Sequence, residues 1–104
     1  MVDIMADSGY SIINLGPGID MVDARQVVGQ RCCLSGNVNP IRTLMRGTPD
    51  DVRAEVRRII EKVSVHGGHI MCSGEMVPRD TPEVNIRAFV EETRAAWNAV
   101  NRAA

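Results

Sequence analysis

The stretch Arg31-Cys-Cys-Leu-Ser-Gly-Asn-Val-Asn-Pro40, followed by Gly47-Thr-Pro-Asp-Asp51, decides the fold class. Its first five residues read as a short strand, and Gly36 and Pro40 oppose its continuation. A short helical turn is expected over residues 41–46, closed by Gly47. Thr48 then supplies an N-cap, Pro49 the first helical position, and Asp50 and Asp51 two acids in the first turn. Val52, Val56, Ile59, Ile60 and Val63 follow at i, i+4, i+7, i+8 and i+11, one apolar stripe on a 3.6-residue period. This is a strand that feeds a crossover helix, and the helix is expected to be the longest in the chain.

The same order recurs on both sides. Residues 10–15 read as a first strand, stopped by Gly16-Pro17-Gly18. Asp20 caps a helix over Met21–Val28, with Asp23 in its first turn and Gly29 at its end. Residues 69–73 read as a third strand after Gly67-Gly68, with a loop over residues 74–78. Thr81-Pro82-Glu83 repeats the capping pattern, and Ile86, Phe89, Val90 and Trp97 mark the apolar face of a last helix. A frayed tail is expected at residues 101–104. Alternating β and α segments imply an α/β fold with parallel strands and right-handed crossovers. The loops over residues 16–19, 36–40 and 74–78 must then emerge on one rim, where α/β folds bind ligands. Such a sheet needs cover on both faces, and its two edges are left open. Something else is expected to complete it.

Composition narrows the function classes. Twelve basic and thirteen acidic residues among 104 leave a net charge of -1. This gives no footprint for nucleic acid or for an anionic membrane surface. With aromatics at 3%, base-stacking platforms are excluded as well. No apolar run approaches the ~20 residues of a membrane span. Cys32, Cys33 and Cys72 are odd in number and two are adjacent, a poor disulfide framework that points to the reducing cytoplasm. The first nine residues carry two Asp and no basic residue, unlike a signal peptide. Residues 2–8 read as the tail of an earlier helix.

Gly36-Asn37-Val38-Asn39-Pro40, then Leu44 and Gly47-Thr48-Pro49, form one ordered set of elements. Gly68-His69-Ile70-Met71-Cys72-Ser73-Gly74-Glu75, then Pro78 and Thr81-Pro82-Glu83-Val84-Asn85-Ile86, form a second. Together they resemble the C-terminal end of the uroporphyrinogen decarboxylase superfamily, which includes the cobalamin-dependent methyltransferases. The resemblance spans about residues 5–97. It implies that residues 1–104 are a partial (β/α)₈ barrel domain matching the last three strand–helix units. A whole barrel takes about 250 residues. The missing N-terminal barrel units, or further copies of the chain, are the partners it implies. The chain alone is expected to be inactive.

The resemblance also marks one position. Where the decarboxylases carry Gly-His and the zinc methyltransferases Gly-Cys, this chain has Gly74-Glu75. Glu75 is therefore the catalytic candidate, as a general acid or base or as a zinc ligand. It cannot supply the soft thiolate of a thiol-activating site. Gly36, Asn37, Asn39, Ser73 and Gly74 are the substrate-binding candidates. Gly allows close approach of a ligand to backbone, and Asn both donates and accepts. Met76, Val77 and Pro78 fit the methyltransferase-like loop better. Corrinoid-dependent methyl transfer is thus the expected activity, with zinc, a corrinoid and a corrinoid protein as cofactors and partner. Tetrapyrrole decarboxylation, which needs no cofactor, is the alternative. A third reading is a non-catalytic self-assembling or degenerate barrel fragment.

His66, His69, Cys72 and Glu75 recur every three residues but do not make a local metal site. An extended run separates the outer two by roughly 30 Å, and residues three apart on a strand point to opposite faces. Cys32 and Cys33 diverge for the same reason and read as packed residues.

Overall fold

The computed structural model describes residues 2–64 and 67–103, so His66 lies outside the described residues. Three parallel strands form one sheet in the order β1 (Ile12–Asn14), β2 (Cys33–Ser35), β3 (His69–Ile70). Ile12 pairs with Cys33 and Asn14 with Ser35; Leu34 pairs with His69 and Ser35 with Ile70. The helices are α1 (Val2–Ala6), α2 (Met21–Val28), α3 (Pro49–Lys62) and α4 (Glu83–Ala103), with a π-helical turn over Pro40–Met45. This is the α/β order expected from the sequence.

The strands are shorter than the sequence predicts. The hydrogen bonding of β1 nevertheless runs past its ends: the Ser11 carbonyl accepts from the Cys33 N–H at 2.8 Å, and the Leu15 N–H donates to the Ser35 carbonyl at 2.9 Å. On the third strand, pairing resumes after a break. Val38 bridges Ser73, the Val38 N–H donates to the Cys72 carbonyl at 3.2 Å, and the Gly74 N–H donates to the Val38 carbonyl at 2.8 Å. The expected helical turn starts one residue earlier, at Pro40, and has the wider π geometry. Its Leu44 and Arg46 N–H groups reach back five residues, to the Asn39 and Ile41 carbonyls.

α3 follows its sequence signature closely. Thr48 and Asp51 close a reciprocal capping box, and Val52, Val56, Ile59 and Ile60 are buried. α4, at 21 residues, is longer than α3, against expectation. Its buried face differs in part. Phe89 packs against the core as expected, but Asn85, Ala88 and Ala96 are the buried residues, whereas Ile86, Val90 and Trp97 are each 41% exposed. Small residues let α4 lie close against α3, and Arg53 and Arg57 of α3 pair with Glu91 and Glu92 across the seam.

Strand alternation divides the sheet. Ile13, Leu15 and Leu34 join the helix residues Met21, Val28, Val56 and Ile60 in a single core. On the opposite face Ile12 and Ile70 are 53% and 47% exposed, and Asn14 is exposed as well. The helices of the chain therefore cover one face only. Among the described residues no helix is long and apolar enough to cross a membrane.

One buried charge fastens the base of the sheet. Arg25 of α2 is only 6% exposed. Its guanidinium donates to the carbonyls of Gly29 at 2.8 Å, Cys32 at 3.4 Å, Gly67 at 3.2 Å and Gly68 at 2.5 Å. Four carbonyl dipoles thus meet a cation that has no carboxylate partner among the described residues, and they tie α2 to the starts of β2 and β3. We expect Arg25→Met to lower stability by about 2–4 kcal/mol, read as a fall in the urea unfolding midpoint. An unchanged midpoint would show that these carbonyls are satisfied without it.

Candidate functional site

The rim is built around the end of β2. The Gly36 N–H donates to the Ile70 carbonyl at 3.0 Å. Gly36 has φ +130°, and a Cβ there would lie 2.7 Å from the Leu15 carbonyl oxygen, so only glycine fits. The buried Asn37 side chain donates both amide hydrogens to the first loop, to Gly16 O at 2.9 Å and Ile19 O at 2.5 Å. The third loop reaches the first through Gly74, where a Cβ would sit 2.7 Å from Pro17 N and Cδ. The three loops therefore meet on one rim, as the alternation of strands and helices predicts.

The candidate residues divide by what their groups already do. Asn39 caps the π-helical turn through Oδ1, which accepts from the Ile41 and Arg42 N–H groups at 3.0 and 2.7 Å. The Ser73 hydroxyl donates to the Glu75 carbonyl. Gly36 and Gly74 permit close packing of backbone against backbone. Glu75 is exposed near the start of the third loop. Among the described residues no three His, Cys, Asp or Glu side chains converge, so the residues present do not by themselves fit a zinc ion. Cys72 Sγ instead lies 3.2 Å from Ser35 Oγ.

A polar cleft of about 410 Å³ opens where the first two loops meet α3. Asn37, Asn39, Arg42, Thr43 and Arg58 are among its lining residues. Arg58 is held by Glu55 at 3.2 Å and by Asp20 at 3.7 Å. Arg42 is exposed and has no ion pair among the described residues. The sequence points to Asn37 and Asn39 in this cleft, but not to Arg42 or Arg58, and Asp20 reads there only as a helix cap.

His69 proves to be a brace. Its Nε2 lies 2.6 Å from the Gly36 carbonyl oxygen, which can only accept, so Nε2 carries the proton. Nδ1 then accepts from the Ser64 hydroxyl at 2.7 Å. Burial lowers the His69 pKa below its ordinary 6.5; the hydrogen bond to Gly36 opposes the shift and nearby Arg25 reinforces it.

Residues 1–96 match the family model described as uroporphyrinogen decarboxylase. The chain belongs to the uroporphyrinogen decarboxylase family. It is 34% identical over 90 residues to the uroporphyrinogen decarboxylase of Chlorobium luteolum, covering 84% of this chain and 25% of that one. It is 36% identical over 101 residues to that of Methylococcus capsulatus, covering 97% of this chain and 28% of that one. A solved methyltransferase from Methanosarcina mazei superposes with a TM-score of 0.77 at 28% identity, covering 90% of this chain and 27% of that one. The chain thus spans about a quarter of the length of the curated uroporphyrinogen decarboxylases it matches. Its fold is a set of three strand–helix units of the barrel type.

Two outcomes follow for the rim. Asn37→Ala removes both ties to the first loop. It should cost about 2 kcal/mol and speed amide exchange around Ile19; unchanged exchange would show that the loop holds itself. His69 gives a pH signature. Its folded pKa is depressed, so the unfolded chain binds the proton more readily. The neutral brace is fully effective above about pH 6.5 and weakens as pH falls from there towards the folded pKa. The urea midpoint of the parent should fall between about pH 7 and pH 5, and that of His69→Gln should fall less; parallel curves would contradict this.

Proposed function

We propose that the chain forms the C-terminal rim of a uroporphyrinogen decarboxylase-type active site. It would act in decarboxylation of a carboxylate-bearing tetrapyrrole once further strand–helix units close the sheet. The observation that supports this most strongly is the matched pair of relatives at 34% and 36% identity, both named uroporphyrinogen decarboxylase. A decarboxylation breaks a carbon–carbon bond, releases CO₂ and leaves an electron-rich carbon that must gain a proton. The remaining carboxylates of such a substrate need cations and hydrogen-bond donors to fix the reacting arm. Arg42 is the cation this chain offers, beside the side-chain amide of Asn39, whose oxygen alone is used in capping. Glu75, near the start of the third loop, is the group to move a proton. Asn37, Ser73, Gly36 and Gly74 shape the rim rather than carry the chemistry.

Methyl transfer is the second reading, favoured by the Methanosarcina mazei neighbour and by Met76-Val77-Pro78. Zinc and a corrinoid belong to that reading, with Glu75 as one ligand. One exposed carboxylate does not form a zinc site, and among the described residues no further ligands converge with it.

The two readings separate in one assay. The chain is assembled with complementary barrel units and given uroporphyrinogen, or methylcobalamin with a thiol. We expect CO₂ release from uroporphyrinogen. Arg42→Ala should raise KM at least about tenfold with little change in kcat, because a side chain that grips a distant carboxylate acts mainly on binding. Glu75→Gln should lower kcat. Demethylation of methylcobalamin without CO₂ release would overturn the proposal.

A further inference from the structure

The π-helical turn over Pro40–Met45 carries Arg42, and it hands over to α3 with two carbonyls left open. The donors that would close them are used elsewhere. Beyond Leu44, the Thr48 N–H is taken by Asp51 Oδ2 at 2.9 Å, and Pro49 has no N–H. Beyond Gly47, the Asp51 N–H goes to Thr48 Oγ1 at 3.1 Å and the Val52 N–H to the Thr48 carbonyl at 3.1 Å. The capping box that starts α3 thus consumes what the turn lacks. Asn85 of α4, 41 residues beyond Leu44 and 38 beyond Gly47, supplies it. Its Nδ2 donates to the Leu44 and Gly47 carbonyls, each at 2.8 Å, and the residue is only 1% exposed. Both neighbours can only accept, so the nitrogen is the atom that faces them. Oδ1 is buried with no partner among the described residues, so the side chain serves the turn through its two donors alone.

We propose that Asn85 is the positioning residue for Arg42: it fixes the turn from which Arg42 reaches the polar cleft to take a carboxylate. The inference rests on the reading of Arg42 as a carboxylate grip and adds the group that holds it. Arg42 is exposed and has no ion pair among the described residues, so its place is set by its backbone. Asn39 Oδ1 fixes the start of that turn, and Asn85 fixes its end. A long side chain loses rotamer freedom when it grips a ligand, and a turn that also had to be ordered would add to that cost. A role in packing alone does not account for an amide here. An apolar side chain would fill the space without burying an unpaired oxygen, whereas the two open carbonyls require a donor. Asn85 also stands in the first turn of α4, shortly after the loop that bears Glu75, so its two bonds set where the Arg42 turn lies relative to that loop.

The test titrates the isotope-labelled chain with succinate at constant ionic strength and follows the Asn39 and Arg42 amide signals by NMR. The parent should shift and saturate. Arg42→Ala should weaken binding at least about tenfold. Asn85→Ala should weaken it about three- to tenfold, and Asn85→Ser, whose hydroxyl keeps one donor, should weaken it less. In the Arg42→Ala background neither Asn85 variant should add a further loss, because residues that act through one another are not additive. The urea midpoint and the remaining amide signals report folding separately, and Asn85→Ser carries the test where Asn85→Ala does not fold. Folded Asn85 variants that bind as the parent does, or that add the same loss without Arg42, would overturn this inference and leave the carboxylate reading standing, as would loss of the fold in both variants. A parent that does not bind succinate would overturn that reading and this inference together.

Discussion

Every backbone N–H and C=O in a sheet needs a partner, and three strands leave two rows of such groups without a neighbouring strand. This constraint organises the molecule. β2 is central and pairs on both sides; β1 and β3 pair on one. The helices satisfy one face and leave Ile12, Asn14 and Ile70 on the other. The family's barrel meets the same demand by closing the sheet on itself, which removes the edges and buries the inner face together.

Within the chain, two polar clusters do at opposite ends of the strands what closure does at the edges. Arg25 gathers carbonyls at the strand starts, and Asn37 gathers carbonyls at the strand ends. His69 connects β3 to the end of β2 through Gly36. Side chains so engaged are poor candidates for direct substrate contact, because freeing them leaves buried carbonyls unpaired. Arg42, the Asn39 amide nitrogen and Glu75 are not engaged in this way and can meet a ligand. A rigid rim carrying a few free polar groups is the arrangement a positioned reaction requires.

The parallel order, α2, α3 and their caps were legible because caps and apolar periodicity are local signals. Asp20, Thr48 and the stripe from Val52 to Val63 each act within a few residues. Strand ends were less legible, since a residue such as Tyr10 joins a ladder only when a neighbour lies beside it. The face of α4 was read correctly at Phe89 and misread elsewhere, because Trp97 and Val90 outweigh Ala88 and Ala96 in hydrophobicity, while close approach to α3 selects the small residues. Arg25 left no signal at all: its partners Gly67 and Gly68 lie more than forty residues away. The family position of Glu75 came from resemblance, whereas the Arg42 cleft depends on three segments that only the fold brings together.

The central claim is that β1 presents an unpaired edge in the isolated chain. Residue-resolved amide hydrogen exchange measures this directly. The Ile13, Leu15 and Leu34 amides should be protected, while those of Ile12 and Asn14 should exchange at close to the rate of unfolded chain. Strong protection of Ile12 and Asn14 in a monomer would contradict the account, since it would mean that this chain covers its own edge.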